Sequence, residues 1–262
     1  MAEYSKSEMM TVAAARLLQN GTVCFVGIGL PSAAANLARA MHAPQCVLIY
    51  ESGTIGSKPD VLPLSIGDGE LAETADAVVS VPEIFAYWLQ GGRVDVGFLG
   101  AAQIDKFANI NSTVIGDYDK PKVRLPGAGG APEIAANAKE VYIIIEQNAR
   151  TFPPKMDFVT SAGHLTGGDS RAKSGAPGAG PTVVITDLGI LRPDPVTKEL
   201  TLVSVHPGVT VDEAKAATGW ALRVAERVEQ TAAPTADELA HLRELHARTN
   251  AAHQEPARTL RA

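Results

Sequence analysis

Glu51 is the residue whose setting most invites chemistry. It stands in Tyr50-Glu51-Ser52-Gly53-Thr54-Ile55-Gly56, directly after the apolar run QCVLIY. A carboxylate at the C-terminal end of an apolar strand faces the crevice in which open α/β sheets bind ligands. Ser52 and Gly53 offer backbone N–H groups in a turn that would hold it still. Spacing alone leaves two readings level: a ligand-facing carboxylate, and an acid that caps the next helix or pairs with Lys58.

Two glycine-rich turns join it. Gly27-Ile28-Gly29-Leu30-Pro31-Ser32 follows a strand, opens a helix and precedes Glu51 at the distance a dinucleotide fold places its ribose-binding acid. Two details count against that role. Ser32 stands where a third glycine or alanine is needed for close helix–strand packing, and Pro31 removes an N–H that pyrophosphate would use. Pro126-Gly127-Ala128-Gly129-Gly130-Ala131-Pro132-Glu133 is the second turn. Its glycines let backbone N–H groups converge on an anion, either a phosphate or the oxyanion of a tetrahedral acyl intermediate. A plain tight turn explains it equally, and no Gly-Lys-Ser/Thr follows to make a P-loop. The six histidines are scattered. His206, in HPGVT, reads as structural, and no His has a Ser or Cys partner or metal-ligand spacing.

The surrounding elements alternate in the manner of a parallel α/β sheet. Ser5-x-x-Glu8 is a capping box that starts a helix ended by Gly21. TVCFV is a strand, Pro31 opens an Ala-rich helix running to about His42, and QCVLIY is the next strand. Pro82 to Gln90 reads as a helix stopped by Gly91 and Gly92. VDVGFLGA and EVYIIIEQ are strands, with strand, glycine turn and helix in VRLPGAGGAPEIAANA between them. Residues 167–181, GGDSRAKSGAPGAGP, read as a flexible surface loop or lid. VVITDLGIL and ELTLVSV follow as strands. Capped helices then begin at Thr210 with Glu213, ended by Gly219, and at Thr235 with Glu238, and the tail QEPARTLRA reads as frayed. The expectation is one domain over residues 1–262, flexible from about 251.

Composition narrows the classes. Of 262 residues 45% are apolar and 20% charged, ordinary for a globular protein. The formal net charge is -6 and nothing resembles a basic stripe, which argues against nucleic acid. Cys24 and Cys46 sit in strand-like runs and read as small buried hydrophobes. The start MAEYSKSEMM lacks a signal-peptide pattern, and no apolar run is long enough for a bilayer, so a cytoplasmic enzyme is expected.

Taken together, these stretches resemble the B (β) chain of class I CoA-transferases, in the glutaconate-type branch that includes a subset of 3-oxoadipate CoA-transferases. The resemblance runs from the first helix to about residue 250. It is carried by FVGIGLPSAAANLAR, LIYESGTIG, PLSIGDGELAETAD, YWLQGGRVDVGFLGAAQID, NINSTVIGDYDKPKVRLPGAGGAPEIA, ITDLGIL and HPGVT, in that order. It implies an α/β fold with an open, mostly parallel sheet flanked by helices, the CoA-transferase (NagB-like) fold. By its place in the E-S-G motif, Glu51 becomes the catalytic glutamate, and the GAGG turn becomes the oxyanion site, with Gly129 and Gly130 as donors. Gly27, Gly29, Ser52, Gly53, Asn109, Gly127 and Ala128 are placed in substrate or CoA binding. The implied reaction is ping-pong transfer through a glutamyl-CoA thioester, with CoA as substrate and neither metal nor prosthetic group. The implied acid is 3-oxoadipate, activated from succinyl-CoA, with a glutaconate-type or other dicarboxylate as the alternative. Some relatives with this fold lack the glutamate and act as decarboxylases or ring-opening hydrolases; the presence of Glu51 makes that alternative the less favoured one. A CoA-transferase A subunit, in equal number, is the implied partner. The sequence departs from the family in two places. Tyr-Glu-Ser-Gly replaces the Ser-Glu-Asn-Gly of succinyl-CoA:3-ketoacid enzymes, and Ala108 precedes Asn109 where glycine is usual.

Overall fold

The computed structural model describes residues 3–254. Ser5 and Glu8 cap helix α1 (Lys6–Ala15) reciprocally, and the helix stops six residues before Gly21. β1 (Val23–Phe25) leads through the first glycine turn to α2 (Leu30–Met41), with Pro31 in its first turn. β2 (Val47–Ile49) turns back sharply into β3 (Thr54–Ile55). After α3 (Gly69–Glu73) and β4 (Ala77–Val78), a helix begins at Val81–Glu83 (α4) and continues as a π-helical segment over Ile84–Leu89. β5 (Val96–Gly100) precedes two small hairpins, β6 (Gln103–Ile104) with β7 (Ile110–Asn111) and β8 (Val114–Gly116) with β9 (Pro121–Arg124). The second glycine turn enters α5 (Ala131–Asn137), followed by β10 (Glu140–Ile144) and a single helical turn, α6 (Ser170–Lys173). β11 (Pro181–Ile185), β12 (Gly189–Pro193), β13 (Leu200–Val205), α7 (Val211–Ala216), β14 (Arg223–Gln230) and α8 (Ala236–Gln254) complete the described chain.

The main sheet has the order β14-β13-β12-β11-β10-β5-β1-β2-β3-β4, and its five central strands, β11 to β2, are all parallel. Alternation along these strands feeds two cores. Cys24, Leu48, Tyr50, Phe98 and Ile185 pack under α1, α2 and α8. Phe25, Ile49, Leu99, Ile143 and Val184 pack on the other face, under α5 and the π-helical segment. Both cysteines are buried and free. Among the described residues no helix is long and apolar enough to cross a membrane.

Two readings need correction, and one strand goes unread in the sequence. VVITDLGIL is two antiparallel strands, because Thr186 ties its own turn: its hydroxyl donates to Gly189 O and accepts from the N–H groups of Leu188 and Gly189. The segment before α8 forms β14, whose exposed alternation of charges carries little hydrophobic signal. The 167–181 segment is pinned rather than flexible. Arg171 is buried, and its guanidinium donates to the carbonyls of Gly178, Ala162, Gly163, Ala135 and Ala136 at 2.6–3.2 Å. Gly180 must be bare because a Cβ there would lie 2.8 Å from Arg171 Nε. The glycines thus serve close packing. Helix α8 carries residues 251–254; the remainder of the expected tail lies outside the described residues.

α8 is fastened to α1 by two ion pairs. Arg16 grips Glu238 through two bonds of 2.7 Å, and Arg243 Nε reaches Glu8 Oε1 at 2.6 Å. Arg243, with Ser5, holds the Glu8 carboxyl down at about 2. Burial pushes Glu238 up, but Arg16 and the Thr235 cap outweigh it and bring it to about 2. Both carboxyls ordinarily titrate near 4.5. Their contribution is therefore complete above pH 4.5 and is lost as pH falls toward 2. Replacing both by Gln is expected to cost about 1–2 kcal/mol at neutral pH, allowing for the half-exposed Arg243. The gap in urea midpoint between parent and variant should shrink steadily from about pH 4.5 to about pH 2; a constant gap would mean that these pairs do not set the pH dependence.

Arg171→Met should leave several buried carbonyls without donors, at about 3 kcal/mol or more. For a chain of this size that is a fall of about 6–12 °C in Tm. A shift under about 2 °C would show that the segment holds itself.

Candidate active site

The chain reverses its direction of travel across the sheet at β1. From β1 it moves one way to β2, and later the other way to β5 and β10. In open α/β sheets the crevice at such a reversal, beyond the carboxyl ends of the strands, is where ligands bind. Here the crevice is a cavity of about 290 Å³ lined by Gly27, Ile28, Glu51, Ile66, Phe98, Gly100, Ser112 and the run from Gly127 to Ala131, among others.

Glu51 owes its aim to Tyr50. The Tyr50 ring is buried in the core under α2, its hydroxyl lies 3.1 Å from Ser32 Oγ, and burial raises it to about 12. Alternation then sends Glu51 to the opposite face, where α5 begins. The turn is closed by Gly53 N–H on Tyr50 O and Tyr50 N–H on Thr54 O. Gly53 has φ +99°, and a Cβ there would stand 1.9 Å from Val79 O. Its N–H is spent on the turn, so it fixes Glu51 through the backbone without donating to the carboxylate. Lys58 pairs with Asp76 at 2.6 Å, which removes the alternative in which it pairs with Glu51.

The GAGG turn is held from below. Ser112 Oγ donates to Gly127 O at 2.8 Å, and Gly127 N–H donates to Ser112 O at 2.9 Å. Ala131 N–H closes on Ala128 O at 3.1 Å. Among the described residues, the N–H groups of Ala128, Gly129 and Gly130 donate to no protein acceptor. The approach to Glu51 is close. A Cβ on Gly129 would lie 4.0 Å from both carboxylate oxygens, and one on Gly130 would lie 3.2 Å from Glu51 Cδ and 2.5 Å from Phe85 Cζ. Among the described residues, Glu51 is the one charged residue in the cavity lining. The arrangement offers a carboxylate beside uncommitted backbone donors in a crevice largely walled by apolar side chains. Such a set can attack an acyl carbon and hold the oxygen that becomes negative.

Not every expected residue is in this group. Gly27, Gly127, Ala128, Gly129 and Gly130 join Glu51 in the cavity wall. Gly29, Ser52, Gly53 and Asn109 do not line it. Gly29 sits before α2 with φ +87°. Asn109 is buried elsewhere with its amide fully used: Nδ2 donates to Asp105 and Leu165 O, and Oδ1 accepts from Gly163 and Leu165 N–H. That is the bonding of a structural residue, and it leaves the Asn109 amide no free donor or acceptor for a ligand. Ala108 beside it has φ +56°, a backbone that favours glycine. His206 is buried against Thr186 O, where burial lowers it and keeps the ring neutral. Ile66, Phe85 and Ser112 are the neighbours that the sequence does not single out. Ser112 lies in the NINSTV stretch, but only the hairpin geometry carries it under Gly127.

The chain belongs to the Coenzyme A transferase family, whose model matches residues 7–217. It is 67% identical to the B subunit of the 3-oxoadipate CoA-transferase of Pseudomonas knackmussii, over 97% of each chain. It is 38% identical to the B subunit of the glutaconate CoA-transferase of Acidaminococcus fermentans, over 86% of each. The solved glutaconate coenzyme A-transferase of that organism superposes with a TM-score of 0.87 at 34% identity, covering 92% of this chain and 94% of that one. Family membership displaces the dinucleotide reading of the first glycine turn.

The near contacts separate Gly129 from Gly130. Gly130→Ala drives a methyl into both Phe85 and Glu51 and should lower kcat roughly 100-fold. Gly129→Ala meets only its left-handed backbone, φ +49°. That change should cost about 1 kcal/mol of stability with most activity kept. Equal losses at the two positions would contradict the close approach at Gly130.

Proposed function

We propose that this chain is the nucleophile-bearing B subunit of a cytoplasmic CoA-transferase that moves CoA from succinyl-CoA to 3-oxoadipate. The observation that carries the reading is the Glu51 carboxylate lying against the Gly129–Gly130 turn in the switch-point cavity. The acid pair follows the relative at 67% identity, which is named as the B subunit of a 3-oxoadipate CoA-transferase.

In this reading a Glu51 oxygen attacks the thioester carbon of the donor. The C–S bond breaks, CoA leaves as thiolate, and an acyl–glutamyl anhydride remains. The thiolate attacks the glutamyl carbonyl, the anhydride C–O bond breaks, and the donor acid departs as its carboxylate, leaving glutamyl-CoA thioester. The acceptor carboxylate repeats both steps in reverse. A carboxylate is a weak nucleophile, so positioning and oxyanion stabilisation carry the rate. The N–H groups of Gly129 and Gly130 are the donors for the oxyanion. Binding the long CoA tail supplies energy that can be used at the reacting carbonyl. The chemistry balances without a metal or prosthetic group.

Among the described residues, the cavity lining contains no Lys, Arg or His to meet a second carboxylate. The missing positive groups fit a second chain, and both relatives compared by sequence are named as B subunits. We therefore expect negligible transfer from succinyl-CoA to 3-oxoadipate by the isolated chain. Activity should appear on adding the A subunit, in a complex with equal numbers of both. Incubating that complex with succinyl-CoA and then hydroxylamine should label Glu51, and Glu51→Gln should assemble yet lose transfer. Full turnover by the isolated chain would remove the two-subunit reading, and an active Glu51→Gln complex would remove the nucleophile.

A further inference from the structure

The π-helical segment Ile84–Leu89 has no part in the chemistry of Glu51 and the GAGG turn alone. Its widened turns, with Gln90 N–H on Phe85 O at 2.8 Å, are rarer and less well bonded than α-helix, and such segments gather at functional sites. The burial pattern shows what the widening achieves. Ile84 and Leu89, five residues apart, are both fully buried, whereas in an α-helix residue 88 would stack over residue 84. With those two anchors set, Phe85 packs directly behind the cavity wall, against Phe25 and Gly130. Its ring lies 5.7 Å from that of Phe25, whose side chain lines the cavity. On its other side it meets Gly130 so closely that a Cβ there would be 2.5 Å from Cζ and 2.9 Å from Cε1. The same α-carbon faces Glu51. Five residues on, Gln90 Nε2 donates to Glu133 Oε2 of α5 at 3.2 Å, a second tie between the two elements.

We infer that Phe85 is a positioning residue for the transfer reaction: its ring seats the Gly129–Gly130 turn against Glu51 and keeps water from that side of the acyl intermediates. The inference rests on the proposed role of Glu51. Both intermediates are open to hydrolysis. In the glutamyl-CoA thioester, a water oxygen attacks the glutamyl carbon and the C–S bond breaks. One water proton goes to the departing thiolate, the other to solvent, and the Glu51 carboxylate is restored. A transferase must suppress that leak, and a ring packed against the Gly130 α-carbon, behind the backbone donors, closes the wall to water without adding charge.

The test uses the assembled complex with succinyl-CoA, with and without 3-oxoadipate. Transferred thioester and free thiol are measured for the parent, Phe85→Leu and Phe85→Ala. Phe85→Ala should lower kcat roughly 10- to 100-fold through misplacement of the turn. The ratio of hydrolysis to transfer should rise about tenfold as water gains access, with Phe85→Leu in between. A merely structural loss would lower both products together and leave the ratio unchanged; that result, or unchanged kcat and ratio, would overturn the inference. If Phe85→Ala does not assemble, Phe85→Leu carries the same readout. Hydroxylamine labelling of the parent keeps the two claims apart. Without a label on Glu51 the nucleophile reading falls, whereas a labelled parent with an unmoved ratio in the variants sinks the role of Phe85 alone.

Discussion

A helix as short as α5 cannot hold itself in water, because nucleation costs more than so few hydrogen bonds return. Yet α5 must present the turn at its start to within a fraction of an ångström of its place beside Glu51. The molecule meets this constraint by fixing α5 at both ends. At its C-terminal end, the guanidinium of Arg171 takes up the carbonyls of Ala135 and Ala136, the end of a helix that favours a cation. At its N-terminal end, Gly130 is held between the Phe85 ring and the Glu51 carboxyl, with Ser112 locking Gly127 just upstream. The segment that reads as a lid, the π-helical turn and the small hairpins together form one scaffold around a short helix.

How much of this can be read from the residues divides along a physical line. Capping boxes at Ser5, Thr210 and Thr235, Pro31 in the first turn of α2, and the apolar runs of the central strands are local, so they are legible. Glu51 and the GAGG turn are legible as candidates because Glu51 stands at the end of an apolar strand and the GAGG turn opens a helix. Ala108 is legible as an oddity, and its φ of +56° shows why glycine is usual there. What escapes is relational. Arg171 looks like a solvated charge until its five carbonyl partners converge from three segments. Nothing in IFAYWL tells which aromatic meets the GAGG turn, since that depends on whether the turn closes over four residues or five.

The same distinction explains Asn109. Its neighbourhood resembles a family motif, and a polar side chain in such a stretch reads as a ligand contact. In three dimensions all its bonding capacity goes to Asp105, Gly163 and Leu165, fastening a bend whose backbone is already strained at Ala108. Glycine content misleads in a related way at 167–181. Bare α-carbons there admit a buried arginine, so a composition typical of flexibility produces a tight joint.

On the proposed mechanism, the lack of any cation in the described lining around Glu51 is itself functional. A neighbouring Lys or Arg would stabilise the resting carboxylate and so draw on the binding energy before reaction begins. Lys58, the nearest candidate in the sequence, is held away by Asp76. Backbone N–H groups at Gly129 and Gly130 are dipoles without net charge, fixed before substrate arrives. They interact most strongly when a full negative charge develops on the thioester oxygen, which is the condition for lowering a barrier rather than deepening a ground state. Positive charge is still needed for the phosphates of CoA and the far carboxylate of the acid, both remote from the reacting atoms. On the proposed two-subunit reading, supplying it from a second chain would keep those counter-ions away from the nucleophile, so that backbone dipoles alone act on the reacting carbonyl.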